Sequence, residues 1–503
     1  MKRIGIGTAA ILLCVAFTGC TDPKIDPPPI VTEPETASTS LETITGPAFV
    51  WNVREPTEVA ENQFTQAEDA YNAGEYDTAR SLYEEACEDG HMKACRNRGV
   101  MAERGIGAEE DYAEARQYYV TSCNGGNASG CSYLGELFHK GLGVTEDYPR
   151  AVELYTQGCE NGSAYGCKML GVMHTNGTGM EVDHAAALDL FQSSCDGGNA
   201  AGCGWLGWLH ERDLDGVPVD YEPAIDAFEL GCQGENEFSC LHLGYLLEDG
   251  NGAEVDTVRM MELFEASCER DYADSCNAAG YRYFNGQNVD PDQKRAFELY
   301  VRGCDLELGV SCSNLAIIYE QGKVVEASQA KYIELEGKAC EFGDFESCAD
   351  AGLPHYRANG TPRNYSLSKK YWRRGCENGD YMSCNNLGAA HASGRGFRKS
   401  YTKAREFYED ACEHDVALSC ANLGNFYENG NAVKIDLSKA LALYNKSCEL
   451  DEAEGCAYAG DLVYLGTEDT PADQAAGIAL VKKGCAAGDD WGCKWLKEKG
   501  LGE

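Results

Sequence analysis

Cysteine is the residue of this chain with the most chemistry to offer. Of 26 cysteines, 24 fall into pairs eight positions apart: Cys87 and Cys95, Cys123 and Cys131, Cys159 and Cys167, Cys195 and Cys203, Cys232 and Cys240, Cys268 and Cys276, Cys304 and Cys312, Cys340 and Cys348, Cys376 and Cys384, Cys412 and Cys420, Cys448 and Cys456, and Cys485 and Cys493. Paired thiols serve as metal ligands, redox groups or structural bridges. Structural zinc sites gather their ligands in strings such as C-x-x-C, and none occurs. Four histidines form a second candidate set. His174, His210, His355 and His391 each stand seven residues past the second cysteine of a pair, in a slot that holds Phe138, Tyr283, Tyr319 or Tyr427 elsewhere. Stacked units would set such positions roughly 10 to 20 Å apart, too far to share one metal. They read as aromatic substitutes in an inner helix layer, and no metal or cofactor is called for. The string S-x-x-K, which supplies the nucleophile of serine β-lactamases, occurs at Ser328 to Lys331, Ser366 to Lys369 and Ser400 to Lys403, without K-T-G or S-D-N. The acidic loop Asp213 to Gly216 lacks the spaced carboxylates of a calcium loop.

The pairs recur every 36 residues, stretched to 37 after Cys195 and after Cys448. A fixed period of this size marks a solenoid, whose units bury their apolar faces only against their neighbours. Twelve residues before each first cysteine stands Glu75, Asp111, Asp147, Asp183, Asp220, Asp256, Asp292, Ser328, Asn364, Ser400, Asp436 or Asp473. All but Glu75 are residue types that cap a helix N-terminus, so Ser328 and Ser400 read as caps followed by a surface lysine. Alanine eight before the cysteine and apolar pairs five and four before it share one helix face. Small residues precede both cysteines of every pair, and a glycine commonly follows four past the second, as at Gly135 and Gly388. Glycine costs roughly 1 kcal/mol inside a helix, so its recurrence there implies close helix contact. Each unit is therefore a helix hairpin, with the cysteine pair at the turn to the next.

Acidic residues outnumber basic ones 82 to 42, a formal net charge of -40. That disfavours nucleic acid and anionic membranes and favours basic partners. Residues 1–19 read as a signal peptide: Lys2 and Arg3, then an apolar run too short to span a bilayer. The string Phe17-Thr18-Gly19-Cys20 resembles the lipobox of bacterial lipoproteins, which implies lipidation of Cys20. With Cys14 in the signal peptide, Cys20 is the one cysteine left without a partner, and a lipid gives it a role. Residues 20–61 are rich in Pro, Thr and Glu and are expected to form a disordered tether. The array is expected over residues 62–503, with capping units at both ends.

Leu-Gly, the loop Gly-x-Gly-Val, then Asp-x-x-x-Ala and an aromatic resemble the Sel1-like repeat, a relative of the tetratricopeptide repeat. The cysteine spacing resembles the Helicobacter cysteine-rich proteins, and the likeness runs from about Gln63 to the C-terminus. It implies an all-α fold, an α/α solenoid wound as a right-handed superhelix of about twelve hairpins. It also implies disulfides within the twelve pairs, a geometry that cysteines on antiparallel helices beside their connecting turn can meet. The expected function is a monomeric envelope lipoprotein that binds a protein or peptide, touching the membrane only through Cys20. Outer-membrane placement is favoured, with secretion as the alternative. The competing expectation is an enzyme: a few relatives carry β-lactam-directed activity, which would make this a hydrolase of β-lactams or peptidoglycan fragments.

Overall fold

The computed structural model describes residues 55–501. The expected signal peptide, Cys20 and the expected tether as far as residue 54 lie outside them. The described residues hold 25 α-helices and one isolated bridge, Leu214 to Val217. They divide into two compact units that meet within one helix, at Leu263 and Phe264.

The first unit holds α1 (Glu58–Asn72), α2 (Tyr76–Glu88), α3 (Met92–Glu103), α4 (Tyr112–Asn124), α5 (Ala128–Lys140), α6 (Tyr148–Glu160), α7 (Ala164–Asn176), α8 (His184–Asp196), α9 (Ala200–His210), α10 (Tyr221–Gln233) and α11 (Glu237–Asp249). The helix α12 (Thr257–Glu269) contributes to both units. The second unit continues with α13 (Ala273–Asn285), α14 (Gln293–Asp305), α15 (Gly309–Gln321), α16 (Gln329–Glu341), α17 (Ser347–Arg357), α18 (Tyr365–Glu377), α19 (Tyr381–Ser393), α20 (Tyr401–Glu413), α21 (Ala417–Asn429), α22 (Leu437–Glu449), α23 (Ala453–Leu465), α24 (Gln474–Ala486) and α25 (Asp490–Glu498). From α1 to α11 and from α13 to α25 each helix packs on the next, and odd-numbered helices such as α5 and α7, α7 and α9, and α21 and α23 also touch. The first helix begins at Glu58, capped by Thr57, four residues before the expected start of the array. The acid-rich stretch up to Glu61 suits the first turn of a helix, whose dipole favours negative charge.

The even-numbered helices start where the spacing places them. Ten of the twelve cap residues accept a hydrogen bond from a first-turn backbone N–H, at 2.8 to 3.3 Å; Glu75 and Asp220 accept none through their side chains. Both 37-residue periods are absorbed in loops. After α9 the chain turns through the Leu214–Val217 bridge, and after α23 through Gly466 and a Thr467–Thr470 turn.

Each cysteine pair is a disulfide joining the last turn of an even helix to the first turn of the following odd one, with Cα atoms 4.4 to 4.8 Å apart. A ring this small contributes about 2.5 kcal/mol by chain entropy. Three residues past every first cysteine the backbone is left-handed. Seven of these positions are glycine; Glu235, Asp271, Glu307, Asp415 and Asp451 hold the same conformation without being glycine. The glycine four past the second cysteine is a socket for a ring. A Cβ added at Gly99, Gly135, Gly171, Gly207, Gly280, Gly388 or Gly424 would come within 2.6 to 3.1 Å of Tyr119, Tyr155, Phe191, Phe228, Tyr300, Tyr408 or Tyr444 of the next helix. In one repeat Ala316 takes the glycine slot, and the ring is replaced by the buried Glu336.

Candidate binding surface

The odd-numbered helices carry rings and asparagines at the margin of the core; the longest run of rings lies in the first unit, and the asparagine pairs lie in the second, which also holds a ring contact between Tyr458 and Trp491 at 5.0 Å. On α5, α7, α9 and α11 rings, His242 included, hold seven of the twelve positions two past the second cysteine, five past it and two before it. Tyr133 on α5 stacks on Tyr165 of α7 at 5.5 Å, and Trp205 meets Trp208 on α9 at 5.5 Å. Phe238 meets His242 on α11 at 4.1 Å. All six rings are half-buried. Acidic groups thread between them: the Tyr165 hydroxyl donates to Glu136 at 2.6 Å, and Glu211 meets the His242 ring at 2.8 Å. Burial and the Glu136 carboxylate push the Tyr165 hydroxyl well above its ordinary range, so it stays a donor. Two cations already lie over rings here, Lys168 over Tyr165 at 5.1 Å and Arg212 over Trp208 at 4.4 Å.

In the second unit asparagines one and two past the second cysteine bond across successive odd helices. The Asn314 side chain donates to Asn277 at 2.9 Å, and Asn422 to Asn385 at 3.1 Å, each bond crossing between successive odd helices. Ser419 adds a bond to the same Asn385 oxygen at 3.0 Å. Basic residues two before the first cysteine reach back to cap the previous even helix: Arg374 donates to the Cys340 carbonyl, Lys446 to Cys412 and Lys483 to Cys448. Asp410 stands in that slot one repeat earlier than Lys446. It lies against Cys376 and Cys384, all three candidate ligand atoms falling within 4.8 Å, but both sulfurs are spent in their disulfide.

The four singled-out histidines sit half-buried at the ends of α7, α9, α17 and α19, apart from this aromatic face. Their backbone carbonyls accept the N–H of the next cap residue, as from Asp183 to His174 at 3.0 Å. Burial lowers the pKa of His210 and His355. His391 stacks on Phe407 at 5.9 Å and His355 lies 6.4 Å from Tyr371, so both rings pack among aromatics. The S-x-x-K serines do not form a nucleophile–base pair. Ser328 and Ser400 accept backbone N–H groups as caps, Lys331 pairs with Glu334, and Lys369 lies over Phe397.

The sequence signalled the small slots and the aromatic pairs but not the socket that joins them, because partners twenty residues apart become neighbours only once the hairpin closes. Arg98 was also missed. It fills the slot before the glycine that is usually leucine, is almost wholly buried, and pairs with Glu114 while its Nε and Nη1 have no partner.

A family model described as Sel1 repeat matches residues 74–91, 93–127, 128–163, 164–199, 200–230, 238–272, 273–308, 346–380, 382–416, 417–452 and 453–489. The repeat bearing Ala316 and Glu336 falls in the largest gap between these segments. A protective antigen of uropathogenic Escherichia coli displaying an SLR fold is similar at 22% identity with a TM-score of 0.50, over 87% of this chain and 94% of its own. A Sel1 repeat protein from Oxalobacter formigenes is similar at 19% identity and a TM-score of 0.43, over 48% of this chain and 96% of its own. Helicobacter pylori cysteine rich protein B is similar at 24% identity and a TM-score of 0.22, over 28% of this chain and 95% of its own. No curated protein matches.

Proposed function

The chain belongs to the Sel1 repeat family, and on that premise we propose that it is a cell-envelope lipoprotein, anchored through Cys20, whose odd-numbered helices form a preformed binding surface for a protein or peptide. The observation that carries this reading is the run of half-buried rings from Tyr133 to His242, on odd-numbered helices each tied by a disulfide to the helix before it. Large rigid rings on a fixed backbone bind with little ordering cost, which is the physical advantage of such a surface. The tether sets the array off the membrane, and the excess of acidic over basic residues favours a basic partner.

Chemical crosslinking in intact cells, followed by capture of the chain, tests the reading. It expects a discrete protein partner crosslinked through odd-numbered helices and a diacylglycerol mass on Cys20 in the membrane fraction. An unmodified Cys20 there would remove the anchor. A chain that crosslinks to no protein would remove the scaffold.

A further inference from the structure

The charge of this molecule is unevenly placed. Residues 55–263 carry 39 acidic and 11 basic side chains, a net of -28, whereas residues 264–503 carry 38 and 27, a net of -11. The longest run of odd-helix rings lies in the strongly acidic unit; the asparagine pairs and a shorter ring contact at Tyr458 and Trp491 lie in the other. From this coincidence we infer that the face built by α5, α7, α9 and α11 is a docking site for an arginine- or lysine-rich peptide segment. The inference rests on the scaffold reading and names the chemistry of its partner.

Three features of the face fit a cationic chain. Flat rings attract guanidinium and ammonium groups through the negative face of their π-systems; Tyr133 lies against Tyr119 and Tyr165, and Trp205 lies on Phe191, so a cation would meet the parts of these half-buried rings that the stacks leave exposed. The chain already uses that chemistry on the same helices, with Lys168 over Tyr165 and Arg212 over Trp208. Glu136 and Glu211 stand among the rings, Glu136 already accepting from Tyr165 and Lys140 and Glu211 meeting His242, so a guanidinium would share these carboxylates. An acidic surface around this face would also draw a basic segment in from a distance and speed encounter. An apolar or acidic peptide would gain the ring contacts but forgo, or oppose, the field. The second unit's asparagines bond one another instead, as in Asn314 to Asn277, and its rings at the equivalent positions are fewer: Tyr281, Tyr458, Trp491 and Trp495.

The test is a titration of the full chain with fluorescein-labelled nona-arginine, with nona-glutamate as the control peptide. The inference predicts saturable binding of nona-arginine that quenches tryptophan fluorescence, and none of nona-glutamate. Trp208→Ala weakens binding by about threefold, the size of one lost cation–π contact, while Trp208→Phe keeps most of it. Glu136→Gln with Glu211→Gln weakens binding further than Asp189→Asn with Asp226→Asn, which removes the same charge from exposed sites on α8 and α10. Circular dichroism and melting of each variant establish that it is folded. Equal losses from the two double variants, or no loss from Trp208→Ala in a folded chain, would overturn the inference and reduce the effect to general polyanion attraction. Should cells yield a partner crosslinked to the odd helices that lacks a basic segment, the scaffold stands and this inference falls. Should they yield none, the scaffold itself falls.

Discussion

At His91 a titratable ring takes the place of the asparagine, serine or aspartate that caps other odd helices. Its Nδ1 accepts the Ala94 N–H at 3.1 Å, its Nε2 lies 3.2 Å from Glu61, and the ring stacks on Phe64 at 4.1 Å. Burial lowers its pKa below the usual 6.5 despite Glu61. The folded chain thus resists a proton that the unfolded chain takes up near pH 6.5, and a protonated Nδ1 cannot accept. Stability from this group is complete above pH 6.5 and is lost as the pH falls through the lowered value. Hydrogen exchange of the Ala94 amide, corrected for intrinsic rate, should quicken between pH 7.5 and 5.5. In His91→Asn, which keeps the cap as Asn127 and Asn199 do, that quickening should vanish. The same response in both chains would assign the acid sensitivity elsewhere. Residue-level reading of the sequence was good for caps, whose side-chain types are diagnostic, and poor for the left-handed turn. Glycine announces that turn at seven positions, but Asp271 and Glu307 adopt it at a cost on the order of 1 kcal/mol each, held by the disulfide closing around them.

Between elements, the repeating contact is a ring seated on a glycine. Gly388→Ala would bring a methyl to 2.7 Å from the Tyr408 ring, which is buried and has nowhere to move. Overpacking of this kind costs about 1 to 3 kcal/mol, more than the roughly 1 kcal/mol gained in helix propensity. We expect Gly388→Ala to be destabilised and Gly388→Ala with Tyr408→Leu to recover part of the loss, read as denaturant midpoints with the disulfides intact. At Gly135 the clearance is 3.1 Å, so Gly135→Ala should be close to neutral. Equal effects at the two sites would mean that the sockets do not set the helix spacing. The repeat with Ala316 opposite Glu336 is the natural counterpart, in which glycine and ring are lost together. The hairpins and their phase were legible because the pattern recurs twelve times. The socket pairs and the basic caps from Arg374, Lys446 and Lys483 were not, because they join residues of different helices.

On the scale of the molecule, the period specifies a stacked helical array, and the disulfides replace part of the core that a compact domain would need. What the period leaves free is the side chains of the odd-helix faces, and these differ along the chain: the longest run of rings lies on α5 to α11, and the asparagine pairs lie in the second unit. Periodic positions reveal architecture because they repeat; the candidate face is built from positions that do not, which is why it is visible only where neighbouring helices stand side by side. Site-resolved photo-crosslinking tests the central claim most directly. A photoreactive phenylalanine analogue would be placed singly at Tyr133, Trp208 and Asn422 on odd helices and at Asp189, Asp226 and Glu406 on even ones, in intact cells. Protein crosslinks concentrated at the odd-helix positions are the result the account predicts. Crosslinks confined to the even-helix positions, or spread equally over both sets, would contradict it.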